Sequence, residues 1–111
     1  MNSGSIDQRG ALEAVERILN RGGNADVVLQ AVLEALYSRG VSSARVLFME
    51  HGRLVEGSAA GREAERIAVP VVYEGSEIGR LELAVGDLAF AERVATLISP
   101  YVGRLETSGD R

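Results

Sequence analysis

Two runs of β-branched and aliphatic residues, Ile67 to Tyr73 and Ile78 to Leu83, flank a Glu74-Gly75-Ser76 turn and predict a β-hairpin. The apolar phase of the second run breaks once, because Ile78 falls out of step with Leu81, Leu83 and Val85. A β-bulge at Ile78-Gly79, eased by the glycine, restores it. A second hairpin precedes this one. Its first strand, about Ala44 to Glu50, sends Val46 and Phe48 to one side and Arg45, Leu47 and Met49 to the other. His51-Gly52 forms a tight turn into a strand from Arg53 to Ser58. The polar segment 57–66 connects the two hairpins.

Helical periodicity flanks the strands on both sides. Leu12, Val15, Ile18 and Leu19 define a helix from about Gly10 to Asn20, which Arg21-Gly22-Gly23 ends with a left-handed glycine cap. Asn24 caps a second helix, and Asp26 favours its first turn. Val28, Leu29, Val32, Leu33, Leu36 and Tyr37 make its wide apolar face, and Arg39-Gly40 closes it. A last helix starts after Asp87 and carries Phe90, Val94, Leu97, Ile98, Tyr101 and Leu105, with Leu97 expected to face the sheet. Pro100 is expected to kink or break this helix. The fold class is α+β: a four-stranded antiparallel sheet of order 2-1-4-3, with the helices on one face. Residues 1–9 are expected to be a disordered lead, 10–106 a single domain, and 107–111 a frayed tail.

Composition narrows the chemistry. The 111 residues suit one domain with one core. There is no cysteine, which removes disulfides, thiolate metal sites and thiol redox chemistry. All 12 basic residues are arginine, so neither a Schiff base nor a phosphate-loop lysine can form. A net charge of −4 speaks against nucleic-acid binding. No segment is long and apolar enough for a membrane span, and Met1 to Ser5 lack the features of a signal peptide. A cytoplasmic location is therefore expected.

Asn24 to Leu29 followed by Leu33 and Leu36, the strand Ala44 to Met49, and the hairpin segments Val69-Pro70-Val71 and Ile78 to Leu83 together resemble the GAF domain family over residues 10–106. The resemblance implies a central antiparallel sheet with terminal helices on one face. It also implies that the other face would be closed over a small-molecule pocket by helices and loops. Here the segment that would supply them, 57–66, is too short for a lid, and the NKFDE signature of cyclic-nucleotide-binding members is missing. Members that hold bilins covalently or reduce methionine sulfoxide need cysteine. No cofactor is expected. The family commonly builds dimers from its terminal helices, which implies a homodimer through Leu12, Leu19, Val102 and Leu105.

Other candidate residues have plain readings beside the functional ones. His51, the one histidine, belongs to a hairpin turn rather than a metal or triad site. Glu63, Glu65, Glu74, Glu77 and Glu82 alternate with arginines and read as a solvated surface of mixed charge. The glycines at 57, 61, 75 and 79 suit turns and bulges, not a phosphate cradle. Arg45, Arg53 and Arg80 project from one sheet face and could receive a small anion, although arginines also keep such a face soluble. Leu47, Met49, Val55, Pro70 and Val72 share that face and make an apolar patch suited to an interface. The functional expectation is a non-enzymatic sensory or regulatory domain acting through homodimerisation. The alternative is an interaction scaffold that binds a protein partner on its open sheet face, without a small-molecule effector.

Overall fold

Two turns set the register of the sheet. His51 and Gly52 have φ of 53° and 78°, and Glu74 and Gly75 have φ of 52° and 82°. Two consecutive left-handed residues make a turn whose twist matches that of paired strands. The turns close hairpins at Glu50 opposite Arg53 and at Tyr73 opposite Ser76.

The structure, a computed structural model, describes residues 7–109, with side chains through Leu105. Residues 1–6 of the expected lead and 110–111 of the expected tail lie outside the described residues. The elements in order are α1 (Gln8–Arg21), α2 (Ala25–Ser38), β1 (Ser43–Glu50), β2 (Arg53–Gly61), β3 (Ile67–Tyr73), β4 (Ser76–Leu83) and α3 (Leu88–Gly109). The sheet is antiparallel with the expected order β2-β1-β4-β3. α1 begins two residues earlier than expected because the Asp7 carboxylate accepts from the Gly10 N–H as its cap. β2 is longer than expected and runs to Gly61, which leaves only residues 62–66 as the link.

Each hairpin carries one bulge. The register shifts between Val71 and Val72, so Ile78 is the extra residue of β4 and turns inward beside Gly79. Ile78 is accordingly buried, in the phase the sequence required. A second shift, between Val46 and Leu47, makes Gly57 the extra residue of β2 and brings Ser58 inward. The inner face of the sheet therefore presents Val46, Leu81, Leu83, Val69 and Val71.

α2 and α3 pack on this inner face, and α1 packs on α2 and α3. α2 contributes Val28, Leu29, Val32, Leu33 and Leu36 to the core; α3 contributes Phe90, Val94, Ile98 and Val102. α3 does not break at Pro100. The proline removes the N–H that would reach the Thr96 carbonyl. The Ser99 hydroxyl donates to that carbonyl instead, at 3.0 Å, so the helix continues to Gly109 with its lost bond replaced. Leu97 is half-buried rather than central. It lies one turn from both Arg93 and Tyr101, which reach Glu16 and the Leu19 carbonyl of α1. That stripe faces α1, and Ile98 takes the place in the core expected for Leu97.

Ile98→Ala should cost about 2–5 kcal/mol, because Ile98 is fully enclosed. Leu97→Ala should cost less by at least about 1 kcal/mol, since part of that side chain already meets solvent. Urea titrations with unchanged slopes measure both, and equal losses would contradict this helix phase.

Candidate functional site on the open sheet face

The outer face of the sheet carries no helix among the described residues. Strand pairing places Arg45, Leu47 and Met49 of β1, Leu54 and Glu56 of β2, Pro70 and Val72 of β3, and Glu77, Arg80 and Glu82 of β4 on this side. Two residues expected here are elsewhere. Val55 stands opposite Phe48 and Arg53 opposite Glu50, so both follow the inner-face phase. The two-residue turn is the cause: it sets Arg53 opposite the inward Glu50 and so fixes the phase of β2 as far as the bulge at Gly57.

Residues 62–66 cross the end of this face. β2 ends at Gly61 beside Ser43, and β3 starts at Ile67 beside Leu83, at opposite edges of the sheet. The crossing spans three strand spacings, about 14 Å. Its six Cα steps reach at most about 20 Å when fully extended. Most of the reach is consumed by the traverse, so no slack remains for a lid. Arg66, at its end, is turned in. Its Nη1 donates to Ser43 Oγ at 2.8 Å and to Glu63 Oε1 at 3.1 Å, and its Nε donates to Glu82 Oε1 at 3.4 Å.

Glu82 joins the link to the sheet. Its Oε1 also accepts from Arg45 Nε at 2.6 Å, while Arg45 Nη1 reaches Glu56 Oε1 at 3.0 Å. The network runs across the sheet from β2 to the link. Only 15% of the Glu82 side chain and 12% of the Arg66 side chain remain exposed, which separates them from ordinary surface pairs. Burial alone would raise the Glu82 carboxyl. Hydrogen bonds and charge from Arg45 and Arg66 together outweigh it and hold the group below the usual carboxylate range. Arg45 is in turn held above its ordinary value, chiefly by its bond to Glu82 and against the pull of desolvation. The expectation that Glu82 belongs to a solvated mixed-charge surface is thus corrected. Its partners Arg45 and Arg66 are distant in sequence, and only strand register brings them together.

Arg45 therefore holds two carboxylates, while the Arg80 guanidinium forms no ion pair or hydrogen bond among the described residues. Arg80 is half-buried between Leu47 and Pro70, its cross-strand neighbours. The three arginines expected as an anion site do not converge. Of the expected dimer residues, Val102 is fully buried against Gly79 and is removed from any surface. Leu12, Leu19 and Leu105 are half-buried and pack on the core edge. His51 is exposed at its turn, and no metal-holding group of side chains occurs among the described residues. Hollows lie at the margins of the fold, and Pro70 and Val72 of the outer face line one of them together with Glu92, Ala95 and Thr96 of α3. One of about 370 Å³ is lined by Gly23, Asn24, Asp26 and Arg104 at the start of α2, and another of about 200 Å³ lies between β3 and α3.

No protein-family model matches the chain, and no curated protein matches its sequence. Solved structures do match its shape. The GAF domain of a phosphoenolpyruvate-protein phosphotransferase (ptsP) from Coxiella burnetii superposes with a TM-score of 0.70 at 12% identity, over 95% of this chain and 99% of that one. The chain has a GAF-like fold. The A. aeolicus NLH2 GAF domain, in an inactive state, matches with a TM-score of 0.61 at 14% identity, over 90% of this chain and 93% of that one. A type II free methionine-R-sulfoxide reductase from Thermoplasma acidophilum matches with a TM-score of 0.61 at 18% identity, over 70% of this chain and 92% of that one. The GAF-like sheet here keeps its outer face open, crossed at one end only by residues 62–66.

Glu82→Gln should lower stability by about 1–3 kcal/mol at neutral pH, because it removes the half-buried carboxylate that two half-buried arginines share and leaves them only the exposed Glu56 and Glu63. The folded carboxylate binds its proton less readily than the unfolded one. Its contribution is therefore full above the ordinary glutamate value of about 4.3, and it is lost as pH falls through the lower folded value. The gap between Glu82→Gln and the parent should shrink in urea titrations at acid pH. A gap undiminished at pH values near 2–3 would exclude the ion pairs as its source.

Proposed function

We propose that this chain is a non-enzymatic sensory or regulatory domain of GAF type that acts through homodimerisation. The observation that carries the reading is the reach of the structural match, which takes in nearly all of this chain and of the Coxiella burnetii GAF domain. That neighbour is one domain of a phosphotransferase, and a GAF-like unit of this size serves naturally as a regulatory module. A cytoplasmic setting is part of the same reading, and no described helix is long and apolar enough to cross a membrane.

The reductase neighbour shares the fold, but its activity does not transfer. The resemblance implies that methionine sulfoxide reduction by GAF members runs on cysteine thiols, and this sequence contains none. The outer face carries paired charges and apolar side chains in place of an activated nucleophile and base. A second reading, a scaffold for a protein partner, is favoured by the apolar strip of Leu47, Met49, Leu54, Pro70 and Val72 on that face.

Light scattering at micromolar concentration should report a dimer, and a monomer at every accessible concentration would overturn the homodimeric reading. Thermal-shift screens with cyclic nucleotides, haem and bilins should leave the midpoint unmoved. Tight sites bury most of a ligand in a concavity, and the taut link builds none on this face. A ligand at 100 times its Kd would add about 2.7 kcal/mol, so a saturable shift would be plain and would restore an enclosed sensor site.

A further inference from the structure

The outer face holds unspent charge of both signs. Arg80 and Glu77 occupy successive outward positions of β4, because the bulge takes Ile78 and Gly79 inward between them. Neither side chain forms an ion pair or hydrogen bond with any described residue. Around them the surface is apolar. Leu47 and Pro70 flank Arg80 in register, Val72 flanks Glu77, and Met49 lies one step beyond Phe48, at the level of the bulge.

We propose that this face is an interface with a second copy of the same chain, in which Arg80 of each copy pairs with Glu77 of the other. The inference rests on the homodimeric reading above and assigns its contact surface to the sheet in place of the terminal helices. Self-complementarity is the reason for choosing a second copy over another partner. An isologous contact requires each patch to match itself after a two-fold rotation. A two-fold axis lying in the interface, and crossing β4 between Arg80 and Glu77, exchanges these two positions. The same operation sets Leu47 against Met49 on β1 and Pro70 against Val72 on β3. One axis thus satisfies the central charges and pairs apolar groups on both sides of them.

Charge and size agree with this occupant. Each copy carries a net charge of −4, so most surfaces of two copies repel. On this face Arg45, Arg66 and Arg80 balance Glu56, Glu77 and Glu82, and Glu63 stays at the rim, 87% exposed. A sheet of four strands is about 19 Å wide, and seven or eight residues run about 25 Å. The projected area is about 500 Å², and side-chain corrugation adds to it, against the ~800 Å² per partner of a standard interface. A half-buried arginine at the centre of an apolar strip is also the residue type and place that anchor interfaces.

Charge reversal tests the pairing, because both positions occur in each copy. Arg80→Glu and Glu77→Arg should each weaken the dimer at least tenfold in sedimentation equilibrium, since each places like charges face to face twice. The double variant Arg80→Glu/Glu77→Arg should return the dimerisation constant to within about threefold of the parent. Both positions are on the surface, and circular dichroism should show an unchanged fold. A parent dimer that ignores both single reversals, or singles whose loss the double does not repair, would overturn the sheet-face interface and leave the homodimeric reading standing. A parent that is monomeric throughout would overturn both.

Discussion

The short traverse from β2 to β3 governs this molecule. With order β2-β1-β4-β3, the two hairpins are joined from one edge of the sheet to the other, and five residues make the crossing. So short a segment cannot rise from the sheet. It lies across the strand ends and is fastened there by Arg66, which shares the Glu82 carboxylate with Arg45. Fixing a loop of this kind opposes its conformational entropy, and a half-buried charge-assisted contact is strong enough to do so where an exposed pair is not. The openness of the outer face follows from the same length. An antiparallel sheet tolerates water on one side, so the fold survives the absence of a cover.

The two faces are kept apart by two bulges. Without the extra residue at Ile78, the outward positions of β4 would exchange with the inward ones, and Leu81 and Leu83 would meet solvent. Gly79 permits the close approach: a β-carbon there would collide with the Leu47 carbonyl and crowd Val102 of α3. Gly57 makes the corresponding adjustment in β2, where a β-carbon would press on Phe48 and Leu105. Each glycine trades strand propensity for a phase shift that keeps the core apolar.

This explains which features were legible in the sequence. The two hairpins, their turns and the three helices rest on local periodicity and on glycine at left-handed positions, and these are visible in a single chain; the order of the strands was an expectation alongside the GAF resemblance. The Ile78 bulge was legible because an isoleucine out of phase is conspicuous. The Gly57 bulge was not, because Gly57, Ser58, Ala59 and Ala60 are small and carry no phase; Arg53 and Val55 were placed on the wrong face for another reason, the pairing across the His51-Gly52 turn, which sets Arg53 opposite the inward Glu50. Pro100 misled because the Ser99 hydroxyl, which repairs the broken ladder, is a tertiary-neutral detail of helix geometry. Leu97 and Val102 were misassigned for a common reason. α3 is apolar over a wide arc that serves both the sheet and α1, and sequence spacing does not tell which part of the arc meets which neighbour. The network of Arg45, Glu56, Arg66 and Glu82 was invisible for a different reason: its members are brought together by register alone.

Arg45 and Arg80 differ in how their charge is met on the same face. Both are outward arginines on central strands and are alike in local sequence setting. Arg45 is spent, holding Glu82 and Glu56 and through them the link. Arg80 has no such partner, although carboxylates are abundant nearby, and it stays half-buried among apolar neighbours. Desolvating an arginine without an anion is unfavourable, so the arrangement gains most when a carboxylate arrives from outside the domain. A two-layer domain whose inner face is filled by α2 and α3 offers an effector little interior to act upon. In the proposed sheet-face dimer, regulation would act on the equilibrium that covers this face, where a few kcal/mol of differential contact is enough to shift the populations of free and associated states.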